Sequence, residues 1–323
     1  MERQGETMKE KGSIHSKRKR FCKDFSLPIK VLKDEYFQYY IDLFDDLYST
    51  KEKCKLFTDY LNYLEENSLD FFNVTNDVVT RVQADILSMP EFEYFSKEMN
   101  LDDYKTKNSD IVRRKTYQID HAGEEFVSID IVTANYQAMK FINNKLVSDT
   151  NNFDELIRKY TDIEYIIKSK KIRQIIFGDK KLNPKRQQRV QKYIMSELYT
   201  YLVESGTVSE DIELELTSDE IVFNKKYLKK DIEEALSNLP ESINSIEFRL
   251  ERFSLELIHE GRDFFKRIDA DTGEYKIKNT PDRFIPEIIK YLKDKENYPN
   301  NLVKEDRLFY DDGRLCSFED TLF

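Results

Sequence analysis

Tryptophan is absent from this 323-residue chain and glycine occurs only eight times. Neither GxGxxG nor GxxxxGK followed by Ser or Thr is present, which sets aside a Rossmann dehydrogenase and a P-loop NTPase. Cysteine is scarce as well. Cys22, Cys54 and Cys316 lie far apart with no CxxC pair, so neither a disulfide framework nor a zinc knuckle is indicated, and a reducing, cytoplasmic setting is expected. No apolar run reaches the roughly 18 residues of a membrane span, and the first residues lack the apolar core of a signal peptide, so no membrane partner is expected. Of the three histidines, His121 and His259 have no Ser, Cys or acidic neighbour at triad spacing; they read as core or surface residues, and nucleophilic hydrolysis is set aside.

What the chain does have is Lys, Asn, Ile, Tyr and Phe, a bias expected of an AT-rich genome such as that of a virus, phage or plasmid. The length suits two modest domains or one elaborated one. Lys and Arg total 52 against 62 Asp and Glu, a net charge of −10, so any nucleic-acid partner must be met by a local basic surface. Residues 1–24, with Lys17, Lys19, Arg18 and Arg20 in one run, read as a disordered basic arm. Residues 25–115 read as a helical region, in which Tyr36, Tyr39, Tyr40, Leu43, Phe44 and Leu47, then Phe57, Tyr60, Leu61 and Leu64, recur at helical spacing as core. Asn76 or Asp77, and Pro90, are the expected helix boundaries.

The period changes near residue 125. Phe126–Ile131 alternates, with Val127, Ile129 and Ile131 on one face and Ser128 and Asp130 on the other, which predicts a strand with one buried face. A helix follows from Ala134, with further helices around 153–177 and 184–204. Strand, turn and strand follow from Ile212 to Phe223, then a helix near 226–238. Residues 241–323 form a smaller β-rich part, with a strand over 245–258, a hairpin at 271–273, a helix over 281–293 and a terminal hairpin at 311–313. The expected class is therefore α+β.

Asp130 ends the polar face of a strand that runs straight into a helix, a costly place for a carboxylate unless it is solvated or bound to a cation. About ninety residues later Asp219 and Glu220 interrupt an apolar alternation at a tight turn. Should the two strands pair side by side, Asp130 and Asp219 converge. Convergent carboxylates suit two Mg²⁺ (or Mn²⁺) ions ~3.5–4 Å apart, a centre for phosphoryl transfer. Between these acids, Lys170, Arg173 and Phe177 follow at i, i+3 and i+7, putting two cations and a ring on one helix face, suited to a triphosphate and a base. From Lys168 to Lys192 there are ten Lys or Arg and one acid, Asp179, a phosphate-binding footprint that includes Lys180, Lys181, Lys185, Arg186, Arg189 and Lys192. Arg249 and Arg252, on a late strand, are further candidates to meet template phosphate.

In this light Phe126–Tyr136 resembles motif A of family A DNA polymerases and single-subunit RNA polymerases. Lys168–Gly178 resembles their motif B, and Leu216–Phe223 their motif C, with Ser218 where His is usual. The three stand in the family's order between Phe126 and Phe223, under a third of the chain. The resemblance implies a palm, an antiparallel sheet packed on helices, over residues 116–240. It implies that Asp130 and Asp219 bind metal with Glu220 assisting, and that Asn135 lies beside the nucleotide sugar. A compact enzyme like those of virophages and mobile elements is implied, using nucleoside triphosphates and DNA in preference to RNA, with accessory viral subunits as further partners. The rival expectation is a non-catalytic descendant that binds nucleic acid or acts as a scaffold.

Overall fold

The computed structural model describes residues 12–106 and 112–323, and these form an α+β protein with thirteen α-helices and nine strands among the described residues. Four contiguous stretches were expected, over residues 1–24, 25–115, 116–240 and 241–323. The chain instead divides into two compact units, neither contiguous: Arg81–Lys159 with Ile176–Asn279, and Met1–Thr80 with Tyr160–Ile175 and Thr280–Phe323. Among the described residues no helix is long and apolar enough to cross a membrane.

The first of these units is built on a seven-stranded mixed sheet. Its strands are β1 (Val112–Arg113), β2 (Glu125–Ile131), β3 (Glu213–Leu216), β4 (Glu220–Asn224), β5 (Phe248–His259), β6 (Arg262–Asp269) and β7 (Tyr275–Lys278). They lie in the order β1-β3-β4-β2-β5-β6-β7. Only β1 and β3 run parallel; every other pairing is antiparallel. β2 is central, and its alternation has the expected faces: Val127 and Ile129 are 0% exposed and Ile131 3%. The other face departs from expectation, because Phe126 and Ser128 are buried too. Phe126 joins Val222, Phe253, Leu255 and Phe265 in a second apolar cluster, with Tyr117 packed against it. The helices Ala134–Ile142 and Pro184–Glu204 pack on one another, burying Tyr136, Met139, Ile194 and Leu198.

The second unit is mainly helical and held by aromatic rings. Phe21 stacks on Phe57 at 4.8 Å and Tyr165 on Tyr60 at 4.9 Å, while Phe71 meets Phe57, Tyr60 and Tyr165. The expected disordered arm is corrected here. Ile14–Asp24 is a helix, N-capped by Ser13, whose hydroxyl accepts from the Ser16 N–H at 3.2 Å; earlier residues of that arm lie outside those described. The boundary expected at Asn76 or Asp77 is also corrected: both lie inside the helix Phe71–Ser88, whereas Pro90 does open a new helix at its first turn.

The basic run folds because its arginines find partners. Arg18 pairs with Asp34 and lies 4.7 Å from the centre of the Phe37 ring. Arg20 donates to Asp24 at 2.7 Å, and Tyr165 donates to the same carboxylate at 2.9 Å. Asp24 is fully buried, and burial raises its pKa against the pull of Arg20. At the other end of the chain, the hairpin of β8 (Leu308–Asp311) and β9 (Arg314–Ser317) is tied in by Tyr40, which donates to the Leu308 carbonyl at 3.1 Å, and by Tyr39, which donates to Asp306.

Removing one member of a buried ion pair strands the other. Asp24→Ala is expected to lower the unfolding free energy by about 3 kcal/mol. Urea titration of the full chain checks this, and a loss below about 1 kcal/mol would show that the pair is not held away from water.

Candidate functional site

β2 and β4 are neighbours, as the two acidic segments require. Asp130 stands directly across from Glu220, and on its other side from Arg249 of β5. Residues directly opposite in an antiparallel pair point to the same face, so Asp130, Glu220 and Arg249 share one. Ser128, Glu251 and, further along, Arg267 continue that face.

The convergence expected of Asp130 and Asp219 is thus modified, since the carboxylate in Asp130's own row is Glu220. Asp219 is one step further on, in the turn. Its carbonyl accepts from the Ile131 N–H at 2.9 Å, so it adjoins the end of β2 but stands opposite Ile131. The turn is closed by Thr217, whose N–H donates to the Glu220 carbonyl at 2.9 Å and whose hydroxyl accepts from the Glu220 N–H at 3.0 Å. The Asp219 carboxylate accepts from the hydroxyls of Thr217 at 3.2 Å and Ser218 at 3.3 Å.

The carboxylates of this face are well partnered. Arg249 grips Asp130 through both oxygens, Nε at 2.9 Å and Nη2 at 2.7 Å. Its Nε also lies 3.5 Å from Glu251. Ser128, 1% exposed, donates to Glu220 at 2.6 Å. Arg267 lies over the Phe253 ring at 3.8 Å and reaches on to pair with Glu251. Lys276 stands 3.5 Å from Glu251. Burial, with Arg267 and Lys276 alongside, holds the Lys278 ammonium below the usual lysine range. Three acids and a matching set of cations therefore share one end of the sheet. No group of three or more His, Cys, Asp or Glu side chains is placed to hold a metal ion among the described residues.

The link from β2 to the next helix is strained. Thr133 has φ of 52°, in the left-handed region, where a β-branched residue is unusual. Its carbonyl still accepts from the Tyr136 N–H at 2.8 Å, so the helix starts at once. Such strain of about 1–3 kcal/mol is kept where surrounding structure dictates it, often beside functional groups.

No family model, curated protein or solved structure matches this chain. The site therefore rests on its own geometry.

The other candidates fall in several places. Asn135 accepts from Gln191 at 2.7 Å. Phe177 is corrected: it is 0% exposed and packs against Phe153 and Tyr136, so its ring is core and not a platform for a base. Lys170 and Arg173 belong to the mainly helical unit. Arg186 is corrected as well, for it donates to the Phe95 and Met99 carbonyls at 3.1 and 3.0 Å and closes the end of a π-helical turn. Lys180, Lys181, Lys185 and Lys192 are exposed and Arg189 is half-buried. On the helix Pro184–Glu204, Lys185, Arg189 and Lys192 fall at i, i+4 and i+7, on one face. Arg252 pairs with Glu233 at 2.8 Å. His121 is a core residue, its Nδ1 2.8 Å from the Thr116 carbonyl. Arg249, Glu251 and Arg267 are the residues that sequence reasoning left out of the centre. Alternation along 248–259 shows that Arg249, Glu251 and Phe253 share a face, but nothing local shows that this face meets Asp130.

Relieving the strain gives a signed test. Thr133→Gly is expected to raise the unfolding free energy by about 1 kcal/mol in denaturant titration; no gain, or a loss, would show that the turn is not strained. Arg249→Ala, at a side chain 59% exposed, is expected to cost at most about 1 kcal/mol by the same measurement.

Proposed function

We propose that the acidic end of this sheet is the centre of a nucleotidyltransferase that adds nucleotides to the 3′ end of a nucleic acid, DNA in a viral or mobile-element setting. The observation that carries this reading is the pairing of β2 with β4, which sets Asp130 across from Glu220 and brings Asp219 to the end of β2. The resemblance to family A polymerase motifs, in order along the chain, supports it. So do the exposed lysines 180, 181, 185 and 192 in the same unit, a surface for a phosphate backbone.

A divalent ion fits the donor set in kind, since Asp130, Asp219 and Glu220 offer only oxygen, the preference of Mg²⁺ and Mn²⁺. The Asp219 carboxylate accepts from the hydroxyls of Thr217 and Ser218, which exchange readily. Asp130 is different: Arg249 occupies both its oxygens, so an ion at Asp130 competes with the guanidinium. Asp130 and Glu220, which share a face, would hold the metal, with Asp219 joining them from the turn. When bound, the metal supplies activation of a hydroxyl nucleophile and charge stabilisation on the leaving oxygen. Displaced from Asp130, Arg249 is a planar fork suited to a phosphate.

The grip of Arg249 on Asp130 favours a second reading. A carboxylate neutralised by its neighbour needs no metal, as in a non-catalytic descendant that binds nucleic acid or acts as a scaffold.

Incubation of the full chain with primed DNA, nucleotides and Mg²⁺ or Mn²⁺ separates the two. Primer extension that falls at least a hundredfold in both Asp130→Ala and Asp219→Ala is the expected result. DNA binding with no extension under either metal would sink the enzymatic reading and leave the second.

A further inference from the structure

Where the helices Ala134–Ile142 and Pro184–Glu204 of the sheet unit pack on one another, three aromatic rings meet. Tyr193 lies edge-on to Tyr104, with centroids 5.3 Å apart at 82°. Phe141 closes the group, 6.3 Å from Tyr193 and 6.5 Å from Tyr104. The rings come from three separate elements, Tyr104 ending the short helical turn Leu101–Tyr104. None is enclosed: each is half-buried, whereas Tyr136 and Met139, on the same helix as Phe141, are 0% exposed. Burial raises the Tyr104 pKa and the nearby Tyr94 adds to it, and Tyr94 is itself exposed. Aromatic rings left partly open together mark a recognition surface more often than rings exposed singly.

Beside the rings runs the basic face of the helix Pro184–Glu204. Lys185, Arg189 and Tyr193 fall at i, i+4 and i+8, and Lys192 lies three positions after Arg189, so cations and a ring share one side. Lys185, Gln188 and Lys192 are exposed and Arg189 is half-buried. From Lys185 to Tyr193 the row extends about 12 Å along the helix axis. Glu197, at the next position, ends it. The other acids of the patch stand on the Tyr104 turn, where Asp103 accepts from Asn100 at 3.0 Å and Asp102 pairs with Lys105 at 3.0 Å. Positive charge therefore lies along the long helix and negative charge on the turn, with Tyr193 and Tyr104 in contact across the divide.

We propose that this patch binds single-stranded nucleic acid, with phosphates on Lys185, Arg189 and Lys192 and a base stacked on the rings around Tyr193. Cations alone serve a duplex and a single strand alike. The rings make the choice, because stacking on an aromatic side chain needs an unpaired base whose face is available, and a duplex keeps its bases within its own stack. Asp102 and Asp103 repel phosphate, so the backbone keeps to the helix Pro184–Glu204 while the bases turn toward Tyr104. The proposal shares the lysines of this helix with the reading above but does not rest on the acidic end of the sheet. It holds for an enzyme and for a non-catalytic binder alike.

The chain has no Trp, so Tyr193→Trp sets a single reporter in the patch. A short oligodeoxyadenylate is expected to quench its fluorescence, and an abasic strand of the same length is not. By fluorescence anisotropy on the full chain, the oligodeoxyadenylate is expected to bind about fivefold or more tightly than a duplex of equal length. Tyr193→Ala, checked for unchanged circular dichroism, is expected to weaken the single strand about tenfold and to leave the duplex within about twofold. Lys185→Glu and Lys192→Glu are expected to weaken both. The proposal is overturned if the duplex binds as tightly as the single strand or if neither binds. It is equally overturned if folded Tyr193→Ala binds normally, or if the reporter keeps its fluorescence while the strand binds. Asp130→Ala is expected to bind the single strand as the wild type does, so a failure of primer extension leaves this patch standing, whereas loss of binding in that variant overturns it.

Discussion

The site depends on β2 being buried on both faces. Val127, Ile129 and Ile131 fill one side, and Phe126 and Ser128 are enclosed on the other. A strand with one wet face can slip by two residues at modest cost, but a slip here would pull Phe126 from its cluster with Phe253 and set Asp130 between Val222 and the like charge of Glu251. Register is thereby held on both sides at once, against β4 and β5. Glu220 and Arg249 stand opposite Asp130 as a consequence of that packing.

Given the register, the electrostatics follow. Three carboxylates on one face repel unless cations are interleaved, and the neighbouring strands supply Arg249, Arg267 and Lys276. Arginine suits the two closest positions because its fork meets both oxygens of one acid or bridges two acids. The partnerships differ in burial. Arg267 is only 10% exposed and is fixed over Phe253, whereas Arg249 is 59% exposed and can exchange Asp130 for another anion. The pair most open to exchange is thus the one that covers the acid most suggestive of chemistry.

The sequence showed much of the fold through its periods. The alternation at 126–131, the helix starting at 134, the hairpin around 218–219 and the late hairpins all recur in the structure. Faces, however, are not partners. Spacing put Phe177 on one helix side with Lys170 and Arg173, but could not reveal that Phe153 and Tyr136 enclose the ring. It marked Ser218, Asp219 and Glu220 as a turn, but the residue standing across from Asp130 is decided by hydrogen-bond register, which composition does not encode. Arg249 lies 119 positions from Asp130, beyond any local pattern.

The same limit explains why the basic stretches were misjudged in opposite ways. Run by run, Lys and Arg count equally as positive charge, yet their side chains meet different needs: a delocalised guanidinium loses less on leaving water and satisfies several acceptors, while an ammonium keeps its hydration. Arg18 and Arg20 therefore anchor a segment whose charge suggested disorder, and Arg186 closes carbonyls at 95 and 99 in a stretch that charge alone assigned to nucleic acid. Lys19, Lys23, Lys180, Lys181, Lys185 and Lys192 stay at the surface. The phosphate surface proposed on the helix Pro184–Glu204 is consequently traced by its lysines, while Arg186 beside them holds the backbone.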